Sequence, residues 1–438
     1  MDRILIHELI RWRQKGDRLP LLLKGARQVG KTWLLKEFGK QFFNDYFYIN
    51  FENSPSMSDL FEGVIDPHKI IEILGALHGR KIDPEHTLLI FDEIQEVPRA
   101  LTSLKYFAEL APEYPICSAG SLLGIALHKG TSFPVGKVDI LTLEPLTFRE
   151  FLLGNSEDEL LAFIKETEIT PVPLPIAQKL IDYLKIFFIT GGMPSSVSTW
   201  LENRDFSVVD DKLRNILDAY EQDFSKHAPA TLVPKLRYIW NSIPSQLAKE
   251  NKKFVYGLVK SGARAREYED ALLWLSDCGL IRRVGRITKG SMPLKAYEDL
   301  HDFKIYHLDV GLLRVMSELS AKTILERTRI FEEFHGALTE QYILQELSSI
   351  QSGSTYYWAS EATAEVDFVF SDGEYIIPVE VKAGENLRSK SLKVYMEKYH
   401  PDIAVRTSLS NVRLDGSLLN IPLYLFFNLN WFIELCKK

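Results

Sequence analysis

Twelve residues near the start of the chain carry the side chains and the spacing needed to hold a polyphosphate. The run Leu21-Leu22-Leu23-Lys24-Gly25-Ala26-Arg27-Gln28-Val29-Gly30-Lys31-Thr32 fits the pattern G-x-x-x-x-G-K-[ST]. Gly25 and Gly30 permit backbone angles closed to other residues, so the loop can turn its N–H groups inward around phosphate oxygens. Lys31 is placed to reach the β- and γ-phosphates, and the Thr32 hydroxyl to hold Mg²⁺. Gly25, Ala26, Arg27, Gln28, Val29, Gly30, Lys31, Thr32 and the following Trp33 are the expected nucleotide contacts. A second run, Leu88-Leu89-Ile90-Phe91-Asp92-Glu93, ends in two acids. Asp92 is expected to hold Mg²⁺ through water, and Glu93 to orient or deprotonate the attacking water. Together the two patterns predict binding and hydrolysis of ATP, with ATP and Mg²⁺ as the expected cofactors.

A different chemistry is suggested near the C-terminus. Glu365-Val366-Asp367-Phe368-Val369-Phe370 alternates as a strand, Ser371-Asp372-Gly373-Glu374 reads as a hairpin turn, and Tyr375 to Lys382 is the return strand. Period-two alternation puts Glu380 and Lys382 on one face, and a short hairpin brings Asp367 beside them. Asp367, Glu380 and Lys382 form D-x₁₂-E-x-K. Carboxylates suit the oxygen preference of Mg²⁺, and a lysine can stabilise or deprotonate an attacking water, giving metal-assisted phosphodiester hydrolysis. Glu340, on an amphipathic helix expected over Phe331 to Leu347, is placed to complete a metal shell of Glu340, Asp367 and Glu380, with Glu380 and Lys382 catalytic. Acids and lysines on the open face of a hairpin are also common as solvated surface, and it is the combination with Glu340 on a preceding helix that sets this group apart.

The elements that must position these side chains can be read from hydrophobic pattern. Strands are expected at Pro20-Leu23, Tyr46-Phe51, Thr87-Phe91, Pro115-Ser118 and Lys137-Leu143, with helices between them. This favours an α/β fold with a doubly wound parallel sheet. Thr32 to Phe38 reads as the helix after the loop, whose N-terminus adds partial positive charge. Ser118 and Ser121, at the end of the fourth strand, are candidates to sense a γ-phosphate, though a simple turn there is an equal alternative. Phe148 to Lys226 reads as mostly helical, broken by the turn Gly191-Gly192-Met193-Pro194, and is expected to form a helical lid on the sheet. Phe254 to Lys260 and Ala263 to Ser276 read as two helices of a winged helix, with Tyr268, Leu272, Leu273 and Leu275 inward. Leu280 to Ile287 then begins a strand pair. Arg264 and Arg266 point outward as candidate DNA-phosphate contacts; a module that docks protein instead is the alternative.

Length and composition bound the answer. A chain of 438 residues predicts two to four domains. Hydrophobic content of 46% and charged content of 25% fit a globular, soluble protein. Cys117, Cys278 and Cys436 show no metal-ligand spacing and suggest a reducing, cytoplasmic location. No signal-peptide pattern or membrane-length apolar run is visible, and Ile421 to Leu435 reads as a core strand followed by a helix. The net charge of −7 argues against a wholly basic nucleic-acid coat, yet Thr231 to Ala296 holds thirteen Lys or Arg against five acids, a local anion-binding surface.

The chain resembles the bacterial and archaeal AAA-type ATPases, near the STAND-type ATPases, that carry a C-terminal domain of unknown function with a restriction-endonuclease-like fold. The resemblance rests on Gly25 to Thr32, Asp92-Glu-Ile-Gln95, Ser103-Leu-Lys-Tyr-Phe107, Phe133 to Lys137 and Pro145 to Phe151. It continues through Gly191 to Pro194, Phe303 to Tyr306, Asp309 to Leu313 and Val379 to Lys382. It implies a P-loop ATPase core over 1–155, a helical lid over 156–230, a winged-helix domain over 231–318 and a restriction-endonuclease-like α/β domain over 319–438. Lys31, Thr32, Asp92 and Glu93 fall on the nucleotide positions, and Glu340, Asp367, Glu380 and Lys382 on the nuclease-like ones. Arg99, Lys105, Lys137 and Arg149 are candidate arginine-finger equivalents. The expected function is an ATP-driven, DNA-binding enzyme whose C-terminal site cuts phosphodiesters under ATP control. The alternatives are a non-cleaving ATP-dependent switch in which the C-terminal domain is a docking platform, and a ring-forming motor. Expected partners are ATP and DNA and not a membrane, with protein partners and oligomeric state left open.

Overall fold

The computed structural model describes residues 2–121, 133–165, 168–249, 252–326, 329–351, 353–361, 363–385 and 388–437. They group into two compact units.

The first unit comprises residues 2–144 with 273–280. Its sheet is built from runs with no polar side chain to satisfy: Leu21, Leu22 and Leu23 are fully buried in β1 (Leu21–Lys24), as are Leu88 to Phe91 in β3 (Thr87–Asp92). With β2 (Asp45–Asn50), β4 (Ile116–Ala119) and β5 (Asp139–Thr142), the order is β2-β3-β4-β1-β5, and every pairing is parallel. Parallel neighbours need long crossovers. These are supplied by α2 (Lys31–Phe42), α3 (Pro67–His78) and α4 (Pro98–Leu110), after α1 (Ile6–Gln14). Phe51, Phe61, Phe91 and Phe107 meet edge to face, with centroids 5.7–6.2 Å apart, the arrangement that ring quadrupoles favour. All five expected strands are present within a few residues at their ends, and α2 runs one turn further than expected.

The second unit comprises residues 145–272 and the chain from Ile281 onward. Eight strands form one mixed sheet: β6 (Ile281–Ile287), β7 (Glu298–His307), β8 (Tyr356–Ala359), β9 (Glu365–Asp372), β10 (Tyr375–Val381), β11 (Ala404–Ser408), β12 (Arg413–Asp415) and β13 (Leu418–Pro422). Their order is β12-β13-β11-β10-β9-β8-β6-β7. Two expectations are corrected here. The β6–β7 pair, read as the start of a wing, is part of this larger sheet, because Gly285 to Ile287 pairs in parallel with Tyr356 to Trp358. The boundary at 318 therefore falls within one sheet. The helices Phe148–Gly154, Leu174–Thr190, Pro194–Asn203 and Phe206–His227 group with this sheet's unit, not with the P-loop sheet as a lid would.

The reason is the helix Arg329–Ile350, whose polar side chains satisfy buried backbone of this unit. Gln341 receives the His307 N–H at 2.8 Å and donates to the His307 carbonyl at 2.6 Å. Gln345 accepts from Val310 N at 3.0 Å and donates to Leu146 O at 3.2 Å, and Glu346 accepts from Phe148 N at 2.7 Å. Gly191 and Gly192 are required at the turn they make: a Cβ on Gly191 would strike the Asp309 carboxylate, and one on Gly192 the Leu146 carbonyl. Among the described residues, no helix is long and apolar enough to cross a membrane.

Candidate functional site

The loop between β1 and α2 has the backbone its sequence demands. Gly25, Gln28 and Gly30 all take positive φ, at 146°, 66° and 95°. A Cβ on Gly25 would collide with the Leu143 carbonyl, so no other residue fits there. The buried Arg3 guanidinium braces the loop from outside, donating to Val29 O at 2.7 Å; no motif marks this residue. Val29 and Ala26 are buried, Arg27 lies 3.5 Å from Glu52, and Gln28 and Trp33 are exposed. Lys31 is buried and donates to Gly25 O at 2.9 Å and Ala26 O at 2.8 Å. Burial pushes its ammonium down to about 8, with Glu93 and Asp92 pulling the other way. A desolvated cation resting on the loop's own carbonyls, in a loop with three residues at positive φ, is a fit for polyphosphate.

The end of β3 meets this loop. Asp92 Oδ2 accepts from Thr32 Oγ1 at 2.7 Å and from Tyr48 OH at 2.9 Å, and its Oδ1 accepts from Glu93 N at 3.1 Å. Tyr48, on β2, escaped the sequence reading. Its hydroxyl is pushed up to about 12, by burial first and then by Asp92. Glu93 takes φ 49°, which turns it off the strand, and its Oε2 accepts from Gln95 Nε2 at 2.6 Å and Ser121 Oγ at 3.1 Å. Ser121 thus stands at the candidate activating acid. Ser118 Oγ is buried without a hydrogen-bond partner among the described residues. Thr32 and Asp92 are the side chains that fit Mg²⁺. Of the candidate finger residues, Arg99 donates to the carbonyls of Phe61 and Gly63, and Lys137 lies 3.0 Å from Glu109.

In the second unit the structure brings together the four expected C-terminal residues and adds others. Lys382 Nζ donates to Glu380 Oε1 at 2.6 Å, and Val381 N donates to Asp367 Oδ2 at 2.8 Å. Glu340 is paired with Lys252 and accepts from Tyr306 OH at 3.0 Å. Lys304, fully buried on β7, is paired with Glu365. Lys252, Lys304 and Tyr306 escaped the sequence reading because they lie far from the D-x₁₂-E-x-K spacing, and Glu365, two residues before Asp367, was read only as the start of its strand. Burial and the neighbouring Glu340 and Glu380 push the Asp367 carboxyl well above its ordinary value. Burial also raises Glu380, against the pull of Lys382, whereas Lys252 and Lys304 hold Glu340 low despite its burial. The expected three-carboxylate metal shell is corrected: among the described residues, no group of three His, Cys, Asp or Glu stands ready to hold a metal ion. The physical reason is that lysines already occupy Glu340 and Glu380.

Arg264 lies just before the helix Ala265–Asp277 and not on it, and Arg266 lies in its first turn; both are exposed. On that helix Tyr268, Leu272 and Leu275 are buried as expected, together with Ala271 and Trp274, whereas Leu273 is 52% exposed.

Residues 17–152 match the AAA domain family AAA_14. Residues 181–323 and 335–426 match two domains of unknown function, DUF8612 and DUF4143. No curated protein matches the chain. Among solved structures, the Walker-type ATPase PABY2304 of Pyrococcus abyssi is similar at 15% identity and a TM-score of 0.43, over 72% of this chain and 95% of that one. The Aeropyrum pernix ORC1 protein, solved in complex with DNA, is similar at 13% identity and a TM-score of 0.28, over 74% and 92%. A STAND protein with a tetratricopeptide repeat sensor from Pyrococcus horikoshii gives 12% and 0.28, over 80% and 46%. The P-loop segment is thus an AAA-type ATPase domain.

Proposed function

We propose that the chain is an Mg²⁺-dependent ATP hydrolase that couples nucleotide turnover to DNA binding. The observation that carries the first half is the 2.7 Å hydrogen bond from Thr32 to Asp92, which joins the phosphate loop to the acidic end of β3. Thr32 and Asp92 would hold Mg²⁺, which when bound neutralises charge on the phosphates. Lys31 leaves the carbonyls of Gly25 and Ala26 for the phosphate oxygens. Glu93 orients the attacking water and takes its proton, while Gln95 and Ser121 fix its carboxylate. DNA binding rests on the exposed Arg264 and Arg266. The test is ATP titration and turnover: Lys31→Ala is expected to lose at least tenfold in ATP affinity. Glu93→Gln should bind ATP normally but turn over about a hundredfold more slowly. Normal turnover by Glu93→Gln would remove it from this role.

A second reading, phosphodiester cleavage at the C-terminal cluster, is favoured by the meeting of Asp367, Glu380 and Lys382 on adjoining strands. It requires cation binding that the lysine pairing opposes. Without it, the cluster serves a non-cleaving switch. Incubation of single- and double-stranded DNA with Mg²⁺ or Mn²⁺, comparing wild type with Glu380→Ala, separates the two.

A further inference from the structure

Arg3 lies far in sequence from the phosphate loop, yet its buried guanidinium holds a carbonyl of that loop and a second one beside it. It donates to Val29 O at 2.7 Å and to Glu144 O at 2.5 Å, all within the first unit. Val29 precedes Gly30, and the C=O and N–H of one trans peptide point in opposite directions. Holding the Val29 carbonyl towards Arg3 therefore holds the Gly30 N–H away from it. No backbone carbonyl among the described residues accepts that N–H. Glu144 follows Leu143, whose N–H donates to Lys24 O at 2.8 Å and whose carbonyl leaves no room for a Cβ on Gly25. The chain leaving β5 thus meets the start of the loop directly and its end through Arg3. Pro145 restricts Glu144 to extended backbone, which steadies the Glu144 carbonyl. Arg3 is steadied in turn by α1. Its carbonyl accepts from Ile6 N at 3.1 Å, and Trp12 of α1 meets Phe38 of α2 with ring centroids 6.4 Å apart.

We propose that Arg3 is a positioning residue of the phosphate loop, holding the Val29–Gly30 peptide so that the Gly30 N–H is presented to the phosphates of the nucleotide, with the chain after β5 as its fixed point. This rests on the reading above that the loop binds ATP. The chemistry of the side chain suits the task. A planar guanidinium holds two carbonyls in a fixed relation, whereas an ammonium on a flexible stem is a single point of attachment. Gly30 sits at φ 95° between the loop and α2, and with no Cβ its peptide can turn unless something holds it. Once Arg3 is removed, the Gly30 N–H is no longer aimed, and binding has to reorder the loop first. A hydrogen bond from a backbone N–H to an anionic phosphate oxygen is of the stronger, charge-assisted kind, so its loss is visible as affinity. An interaction that holds the nucleotide alike before and during reaction acts on KM and not on kcat.

The test is ADP titration of the full chain with Mg²⁺, followed by hydrogen exchange of the Gly30 amide at saturating ADP. In wild type ADP should slow that exchange. Arg3→Met should bind ADP about tenfold more weakly and, even when saturated, exchange the Gly30 amide about tenfold faster than wild type. Its KM for ATP should rise by the same factor, with kcat within about threefold. Where Arg3→Met folds poorly because two carbonyls are left unpaired, Arg3→Lys keeps one charged donor and replaces it, with an expected loss of about threefold. Wild-type affinity and Gly30 protection in a folded variant overturn the proposal, and so does a lower melting temperature with both unchanged, which makes Arg3 a support of the fold alone. Lys31→Ala run alongside separates the two readings. Weakened binding in Lys31→Ala with none in Arg3→Met removes the role of Arg3 and keeps the nucleotide site; no ADP binding by wild type removes both.

Discussion

Asp92 shows how much of a site can hang on a residue that no motif names. Its carboxylate takes three hydrogen bonds, from Thr32, Tyr48 and its neighbour's N–H. On the proposed reading, in which Thr32 would turn to Mg²⁺, Tyr48 would be the remaining side-chain anchor for Oδ2. Tyr48 is therefore a positioning residue, and Tyr48→Phe should raise the Mg²⁺ concentration needed for half-maximal ATP turnover by about three- to tenfold, the loss of one hydrogen bond to a charged group. The maximal rate should change less. A lower melting temperature with an unchanged Mg²⁺ profile would show that Tyr48 only supports the fold. The phosphate loop was legible because chemistry confines it to eight consecutive residues. Tyr48 was not, because it reaches Asp92 through the pairing of β2 with β3, where Tyr48 lies opposite Ile90 and Asn50 opposite Asp92. Lys252 and Lys304 were hidden for the same reason, since their proximity to Glu340 and Glu365 is made by tertiary packing alone.

At the scale of elements, the strands of the first unit were readable since a fully buried parallel strand must be an unbroken apolar run. The helix Arg329–Ile350 obeys no such rule: Glu340, Gln341, Gln345 and Glu346 are all buried, so periodicity misstates which face is inward. The β6–β8 pairing that fuses the expected wing to the C-terminal sheet joins distant segments and leaves no local mark. Glu346 offers a test of this helix as a polar hub. One oxygen accepts from Phe148 N while the other is buried without a partner among the described residues, and burial pushes its carboxyl up from 4.5 to about 8. Below pH 4.5 both folded and unfolded chains carry the proton, and there is no penalty. Between 4.5 and 8 only the unfolded chain releases it, so this group makes stability fall as pH rises, levelling off above 8. Glu346→Gln keeps the acceptor for Phe148 and cannot ionise. It should melt roughly 5 °C above wild type at pH 8 and match it near pH 5. Equal melting at both values would mean that the carboxyl is solvated in the native state.

The whole molecule carries −7, so affinity for DNA depends on where cations are left uncompensated. The basic stretch from Thr231 to Ala296 is less basic in three dimensions than in sequence. Arg237, Lys252, Lys253, Arg286 and Lys295 are paired with Glu221, Glu340, Asp302, Asp299 and Asp302, and Glu298 respectively. Arg264 and Arg266 are exposed, and among the described residues neither has an acidic side chain within ion-pair distance. Phosphate contacts release condensed counterions, and each contributes about 0.9 to the slope of log affinity against log salt. Arg264→Glu with Arg266→Glu should therefore weaken DNA binding at least tenfold at low salt and flatten that slope by about 2. Measuring the slope with ATP and with ADP, in wild type and in Lys31→Ala, extends the test to coupling. A slope that changes with nucleotide in wild type alone would mean that the phosphate loop governs how many DNA phosphates are held. Unchanged affinity in the double variant would place the DNA surface elsewhere and favour a protein-docking role for the helix Ala265–Asp277.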